Sequence, residues 1–174
     1  MSKIFLLLIL LIAGCDASEN NAVSDVYLTT KAGLAQKTGE ITFADTPQGL
    51  LVNVDLQSLP QGKHGFHIHE FPDCNAMADA SGIMQPALKA GGHYDPDKTG
   101  KHLGPNAPKG HKGDLPILSV SKDGKVKTSF IMKNLKVEEI KNRSIIIHAG
   151  SDNYKDSPLP LGGGGARIAC GVIK

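Results

Sequence analysis

The 174-residue sequence contains no tryptophan, and aromatic residues make up only 5% of it. Glycine (20) and proline (10) are abundant, which favours short strands joined by many turns over a helical bundle. The net charge is only +2, with no basic block and no interleaving of basic and aromatic residues, so nucleic-acid binding has no support. The length is that of one ordinary domain.

The amino-terminal apolar run, Ile4 to Ile12, is too short to span a bilayer as a stable helix. It follows Lys3 and leads to Leu11-Ile12-Ala13-Gly14-Cys15, which resembles a bacterial lipobox. We therefore expect residues 1–14 to be a lipoprotein signal peptide, with lipid on Cys15 as the anchor. The polar residues 15–25 then form a flexible tether. A plain secretory signal with an incidental cysteine is the alternative.

The sequence has only three cysteines, an odd number for an exported chain. If Cys15 is acylated, Cys74 and Cys170 remain as a pair, and export permits their disulfide. Such a bond would close a loop of nearly a hundred residues, worth about 4–5 kcal/mol in the chain-entropy model. Two buried free thiols are the alternative.

From residue 26 onward, alternation of apolar and polar residues indicates strands. The Asp123-Gly124 pair predicts a type I′ hairpin turn between two of them, and Val137 to Ile140 is a candidate turn of helix. The segments read as strands are 40–44, 50–56, 66–69, 115–121, 125–130, 144–148 and 166–173. About seven or eight short strands with long connections predict an all-β fold, a Greek-key antiparallel β-sandwich or flattened barrel of immunoglobulin-like architecture, over residues 26–174.

Two long segments lack this periodicity, residues 70–114 and 149–165. Long loops in a compact domain are usually functional or disordered, and the first carries His93, His102, His111 and Asp114 in its second half. A metal together with a disulfide at Cys74 would order it. The second ends in four glycines, 162–165, which follow no strand and open no helix, so a phosphate loop is excluded.

The segment His64-Gly65-Phe66-His67-Ile68-His69-Glu70 has the period of a strand, which places His67 and His69 on one face. Such a pair suits a metal that takes nitrogen ligands, although two surface or core-edge histidines would give the same pattern. His148 ends a second strand. Six histidines and one aspartate thus carry metal-ligand chemistry.

Six segments occur in order along the chain: Gly65-Phe66-His67-Ile68-His69-Glu70, Gly91-Gly92-His93-Tyr94-Asp95-Pro96, His102-Leu103-Gly104-Pro105, Gly110-His111-Lys112-Gly113-Asp114-Leu115-Pro116, His148-Ala149-Gly150-Ser151-Asp152-Asn153-Tyr154, and 162–172. Together they make the chain resemble bacterial copper/zinc superoxide dismutases.

This resemblance implies one copper and one zinc ion per subunit. Copper would bind His67, His69, His93 and His148. Zinc would bind His93, His102, His111 and Asp114, with His93 bridging the two metals as an imidazolate. Copper(II) suits a tetragonal set of nitrogens with an open axial side, and zinc suits a closed tetrahedron.

The resemblance also assigns residues around the metals. Asp152 would accept hydrogen bonds from one copper ligand and one zinc ligand; an Asx turn beside Asn153 is the alternative, and the two are compatible. Arg167 would lie beside the open copper position. The alternative is that Arg167 only extends its charged end into solvent from a strand edge. His64, on the opposite strand face from His67, is expected to have a hydrogen-bonded structural role. Cys74 and Cys170 would form the disulfide.

The implied reaction is superoxide dismutation, in which one superoxide reduces copper(II) and leaves as oxygen. A second superoxide takes the electron from copper(I) and, with two protons, leaves as hydrogen peroxide. The bond between His93 and copper would break on reduction, and the freed nitrogen of His93 would carry a proton. The implied role is antioxidant defence in the periplasm. The protein would contact a membrane only through the lipid on Cys15. Whether it is a monomer or a homodimer is left open. A metal store on the same scaffold and a zinc hydrolase are the competing functions. All seven ligand positions and Arg167 are present, which disfavours a store, and no spare carboxylate serves a hydrolase.

Overall fold

The computed structural model describes residues 20–174, which form eleven strands, one short helix and two 3₁₀ turns. The strands are β1 (Asn21–Thr30), β2 (Gly33–Thr46), β3 (Gly49–Leu56), β4 (Gly62–His64), β5 (Phe66–His69), β6 (Met77–Ala78), β7 (Met84–Gln85), β8 (Leu118–Val120), β9 (Val126–Met132), β10 (Ser144–His148) and β11 (Arg167–Val172). The helix α1 is Val137–Ile140, and the 3₁₀ turns are Leu88–Ala90 and Pro160–Gly163.

Seven strands form one curled antiparallel sheet in the order β5-β10-β11-β1-β2-β3-β9. Strands distant in sequence are neighbours, since the carboxy-terminal β11 lies between β10 and β1. The predicted all-β Greek-key architecture is therefore confirmed. Strands β4 and β8 form a second pair, and β6 and β7 a small hairpin within the first long loop.

The core forms because alternate side chains of each strand point inward. In β3, Val52, Val54 and Leu56 are buried while Asn53 and Asp55 are exposed. Strands β5 and β10, in contrast, are buried on both faces, so Phe66 and Ile68 enter the core while the histidines between them lie on the other face. The sheet thereby holds two imidazoles in a buried position.

The domain begins earlier in the chain than we expected. Residues 21–25, assigned to the tether from their polar composition, belong to β1 and pair with β2 from Asn21↔Ala44 onward. Ala22 and Ser24 are buried while Val23 and Asp25 are not, so the alternation of a strand is present in the fold although polar residues hide it in the sequence. The predicted signal peptide, Cys15 and residues 15–19 lie outside the described residues.

The predicted type I′ hairpin at Asp123-Gly124 is wrong. Only Gly124 has a positive φ (77°), whereas a type I′ turn requires two such residues. The flanking strands also separate after the turn, because β8 pairs with β4 and β9 pairs with β3. The turn itself forms, since the Gly124 N–H donates to the Ser121 carbonyl at 3.0 Å and the Ser121 N–H donates to the Lys125 carbonyl at 2.9 Å, but β8 and β9 do not pair beyond it.

The first long loop is held by its own small core and by a covalent bond. Cys74 and Cys170 form a disulfide with a Cα–Cα distance of 5.8 Å, as predicted. The bonded cysteines pack with Ala87, Ala90 and Ile146 in a cluster separate from the main core. This cluster fixes residues 74–90 against β10 and β11. No helix within residues 20–174 is long and apolar enough to cross a membrane.

Candidate metal centre

Backbone pairing brings distant parts of the chain together beside β5. His67 forms an isolated antiparallel bridge with Asp114, and His69 forms one with His93. The Ile68 N–H donates to the Gly113 carbonyl at 2.9 Å, and a Cβ on Gly113 would collide with the Ile68 carbonyl. Glycine at 113 therefore lets the loop approach the strand closely enough to place these side chains together.

Two groups of ligand-type side chains result, and all of their members are buried. His67, His69, His93 and His148 form the first, with their ligand atoms within 4.8 Å of one another. His67, His93, His102 and Asp114 meet the same limit. His111, which the sequence placed with zinc, lies just outside that second group; its Nδ1 is 3.5 Å from Asp114 Oδ1.

The His93 imidazole lies between the two groups. Its ring centroid is 4.0 Å from that of His67 and 5.0 Å from that of His69 on one side. On the other side it is 5.3 Å from His102, and His93 Nδ1 is 2.9 Å from Asp114 Oδ1. One ring is thus within reach of both sets of ligands.

Asp152 connects the two groups by a hydrogen bond to one histidine of each. Its Oδ2 accepts a hydrogen bond from His67 Nε2 and its Oδ1 accepts one from His102 Nε2, each at 2.8 Å. Oδ1 also accepts the Tyr154 N–H at 2.7 Å, which is the Asx turn that the sequence allowed. Because a carboxylate only accepts, both rings carry a proton on Nε2, which leaves Nδ1 of each ring as the nitrogen available to a metal.

Backbone carbonyls fix the other two rings in the same way. His69 Nδ1 donates to the Gly91 carbonyl at 3.0 Å, and His148 Nδ1 donates to the Gly165 carbonyl at 3.1 Å. Each ring therefore keeps its lone pair on Nε2.

The free lone pairs test whether these residues fit metal ions. Within residues 20–174, eight buried side-chain nitrogen or oxygen atoms lack a hydrogen-bond partner, and six of them belong to this centre. The six are His67 Nδ1, His69 Nε2, His102 Nδ1, His111 Nδ1, Asp114 Oδ2 and His148 Nε2. His102 Nδ1 and Asp114 Oδ2 are only 2.9 Å apart, yet outside hydrogen-bond geometry. Unpaired buried polar atoms are costly, so this concentration fits shared cations.

The electrostatics divide the centre into two parts. Burial lowers the pKa of His93 to about 4 and that of His148 to about 3, and it lowers the pKa of His69 well below its ordinary value. These rings stay neutral, which is the form that binds metal. Burial also opposes protonation of His102, but Asp114 and Asp152 outweigh it and raise its pKa to about 9. The His102 side therefore attracts a cation.

Arg167 lies beside the four-histidine group. It pairs with His148 across β10 and β11, and its guanidinium donates to the Ala87 carbonyl at 2.6 Å and to the Gly91 carbonyl at 2.7 Å. His64 points elsewhere, with its ring nitrogens 2.8 Å from the His148 carbonyl and 2.9 Å from the Pro60 carbonyl.

Sequence reasoning missed the groups that support these side chains. The carbonyls of Ala87, Gly91 and Gly165 are backbone atoms and leave no sequence signal. Asp156 Oδ2, which accepts the His102 N–H at 2.9 Å, also carries no local signal. Tyr154 could have been found, because an Asx turn at Asp152 requires the N–H of the residue two positions later.

Comparison with known sequences gives a consistent picture. The family model for copper/zinc superoxide dismutase matches residues 37–173. The superoxide dismutases (Cu-Zn) of Brucella abortus and Escherichia coli are each 43% identical to this chain over 175 residues, covering all of this chain and all of the relative. Superoxide dismutase (Cu-Zn) 1 of Salmonella typhimurium is 48% identical over 163 residues, which is 92% of this chain and 91% of the relative.

Solved structures agree. The copper/zinc superoxide dismutase from Brucella abortus superposes with a TM-score of 0.85 at 46% identity, covering 89% of this chain and 100% of that chain. The monomeric copper, zinc superoxide dismutase from Salmonella enterica gives a TM-score of 0.78 at 42% identity, with the same coverage.

Proposed function

This chain belongs to the copper/zinc superoxide dismutase family, and we propose that His93 joins two adjacent metal sites in it. The protein is a superoxide dismutase that uses copper and zinc. It converts two superoxide ions and two protons to oxygen and hydrogen peroxide. The assignment of individual residues to each metal, the role of Arg167 and the cellular location are the proposal.

Copper is assigned to His67, His69, His93 and His148, and zinc to His93, His102, His111 and Asp114. His67 is in reach of both groups, but its Nε2 is held by Asp152, so only Nδ1 is free for one metal. The four-histidine group needs His67 as its fourth nitrogen, whereas His111 can complete the other group. His111 is therefore given to zinc and His67 to copper.

Bound copper supplies the one-electron exchange with superoxide, and zinc, which has one stable oxidation state, orders the loop. The chain supplies the rest. Asp152 holds His67 and His102 in the tautomers that leave Nδ1 free. The neutral rings of His69 and His148 add no charge of their own, and Arg167 is the cationic side chain beside them that can attract an anion. His93 Nδ1 faces Asp114, so its Nε2 faces the four-histidine group and is the atom able to hold a proton there.

The observation that carries the assignment is the position of the His93 ring between the two sets of unpaired lone pairs. The test is metal analysis of the purified protein with copper(II) electron paramagnetic resonance, in the wild type, His93→Gln and His64→Gln. We expect one copper and one zinc in the wild type, and a copper spectrum that changes when zinc is removed.

In His93→Gln, the copper spectrum should no longer respond to zinc. His64→Gln, which changes a buried histidine outside both groups, should behave as the wild type does. A copper spectrum of His93→Gln that still responds to zinc as in the wild type would contradict the shared imidazole.

We further propose that the protein is exported to the periplasm and held at a membrane by lipid on Cys15. The lipobox-like sequence before Cys15 and the disulfide of the domain both support this. Cells supplied with a labelled fatty acid should incorporate it into the wild-type protein and not into Cys15→Ser. Label retained by Cys15→Ser would contradict lipidation at this residue.

A further inference from the structure

We propose that Tyr154 is a positioning residue for the zinc side of the centre: it locks the Asp152 carboxylate to the two loop segments that carry His102 and Asp114. This inference rests on the ligand assignment proposed above. Three contacts of Tyr154 carry it, one through its backbone and two through its side chain.

The backbone of Tyr154 has an unusual conformation. Its φ is 57°, in the left-handed region that bulky side chains rarely adopt. This conformation aims the Tyr154 N–H at Asp152 Oδ1, 2.7 Å away. The same oxygen accepts the hydrogen bond from His102 Nε2, so the backbone of Tyr154 helps to fix the oxygen that orients a zinc ligand. Strained residues of this kind persist where the surrounding structure holds them in place.

The side chain supplies that hold at two points. The Tyr154 hydroxyl accepts the backbone N–H of Ile117 at 3.0 Å, three residues after Asp114. The ring lies on Gly104, two residues after His102, where an added Cβ would come within 2.7 Å of the ring. Gly104 itself has a φ of 78°. One tyrosine therefore contacts the segments of two zinc ligands while its own N–H contacts Asp152.

These contacts make a specific mechanical link. Removal of the hydroxyl leaves the Ile117 N–H without its acceptor and frees the ring to rotate off Gly104. The 114–117 segment and the Asp152 turn then lose their common support. The expected consequence is a looser zinc site in a protein that still folds, because Tyr154 is only half-buried and outside the main core.

The test compares Tyr154→Phe with Tyr27→Phe, the same chemical change at a half-buried tyrosine on β1, which β11 and β10 separate from β5. We measure the rate at which zinc passes to a chromogenic chelator, and the visible spectrum of cobalt(II) bound in place of zinc. We expect Tyr154→Phe to release zinc at least about tenfold faster than the wild type and to shift the cobalt spectrum, with Tyr27→Phe unchanged.

Gly104→Ala provides a second, independent perturbation, because the added Cβ would push the Tyr154 ring away although the tyrosine keeps its hydroxyl group. Its matched control is Gly100→Ala, in the same loop, also at positive φ (59°) but with nothing within 4 Å of the added Cβ. Gly104→Ala should accelerate zinc release as Tyr154→Phe does, and Gly100→Ala should do so far less.

Two results overturn the proposal: zinc release and cobalt spectra of Tyr154→Phe equal to those of Tyr27→Phe, or a lowered unfolding temperature with an unchanged cobalt spectrum. His102→Ala separates this failure from that of the ligand assignment. If His102→Ala retains zinc as the wild type does, the ligand assignment fails. If it loses zinc while Tyr154→Phe behaves as the wild type, only the role of Tyr154 fails.

Discussion

The carbonyl oxygen of Gly91 lies 2.7 Å from the guanidinium of Arg167 and accepts a hydrogen bond from it. The same oxygen accepts the Nδ1–H of His69 at 3.0 Å. One backbone atom thus orients both a proposed copper ligand and the cation proposed to attract superoxide. The position of Arg167 is therefore coupled to that of the ligand, and the loop that carries Gly91 controls both.

Arg167→Glu should slow superoxide removal by at least about tenfold at low ionic strength, because it replaces the attracting charge with a repelling one. The measurement is the bimolecular rate constant as a function of salt concentration, with metal content determined in parallel. The wild-type rate should fall as salt rises, and the rate of the variant should not.

Lys127→Glu is the control for that charge reversal, since it makes the same change in net charge at an exposed residue paired with Asp55 on the outer face of the sheet. Its rate and salt dependence should stay close to those of the wild type. Equal rates and equal salt slopes for Arg167→Glu and the wild type would refute the role of Arg167.

Gly162→Ala should weaken the zinc site. Gly162 has a φ of 71°, and an added Cβ would overlap the Asp152 carboxylate and come within 2.8 Å of His102 Nε2. The left-handed backbone alone costs about 1–2 kcal/mol with a Cβ present. Gly82→Ala isolates that cost, because Gly82 has a φ of 82° and open space around the added atom.

The two glycine variants are compared by denaturant unfolding and by zinc content after dialysis. Both should lose stability, but only Gly162→Ala should lose zinc. Full zinc retention by Gly162→Ala would contradict this prediction and would indicate that the 162–165 segment moves to make room for the new methyl group.

Replacing both disulfide cysteines, Cys74→Ser together with Cys170→Ser, should lower the free energy of unfolding by about 2–5 kcal/mol. The bond spans 96 residues and lies in the small cluster with Ala87 and Ala90, which precede the Gly91 carbonyl. Denaturant titration with and without a reductant measures the effect. Reductant should bring the wild type to the level of the double variant and leave the double variant unchanged; a reductant-sensitive double variant would contradict this account.

The metal-free protein should lose stability as the pH falls from about 6.5 to about 4. In the unfolded chain histidines take up a proton near pH 6.5, but in the folded protein burial lowers the pKa of His93 to about 4 and that of His148 to about 3. Each such group contributes up to about 1.4 kcal/mol per pH unit in that window. His102 has the opposite sign: its pKa of about 9 gives stability that is complete below pH 6.5 and is lost as the pH rises through 9.

Urea unfolding of the metal-free protein at several pH values between 4.5 and 7 measures this slope. His148→Gln removes one of the contributing rings, so its slope should be shallower than that of the wild type by up to about 1.4 kcal/mol per pH unit. A flat profile in the wild type, or an unchanged slope in the variant, would be inconsistent with buried neutral histidines.

The sequence alone determined the class of the fold and which side chains meet. Alternation in 50–56 and the continuous apolar run in 144–148 are local properties of strands, and they predicted β3 and β10 almost to the residue. The histidines could be grouped before any coordinates because His67 and His69 share one strand face and the remaining motifs occur in family order. Local signals failed at 21–25, where a polar segment pairs with β2. At Asp123-Gly124 a turn does form, but the strands on either side of it pair with other strands, so the predicted hairpin is absent.

Only the tertiary structure decided how those side chains are oriented. The tautomer of each ring depends on an acceptor from another part of the chain: Asp152 for His67, Gly91 for His69, Gly165 for His148. The contacts of Tyr154 with Gly104 and Ile117 likewise join segments that are far apart in sequence. Every residue has a backbone carbonyl, so residue type does not show which carbonyl will accept a hydrogen bond from a histidine. That is decided by the path of the chain in space.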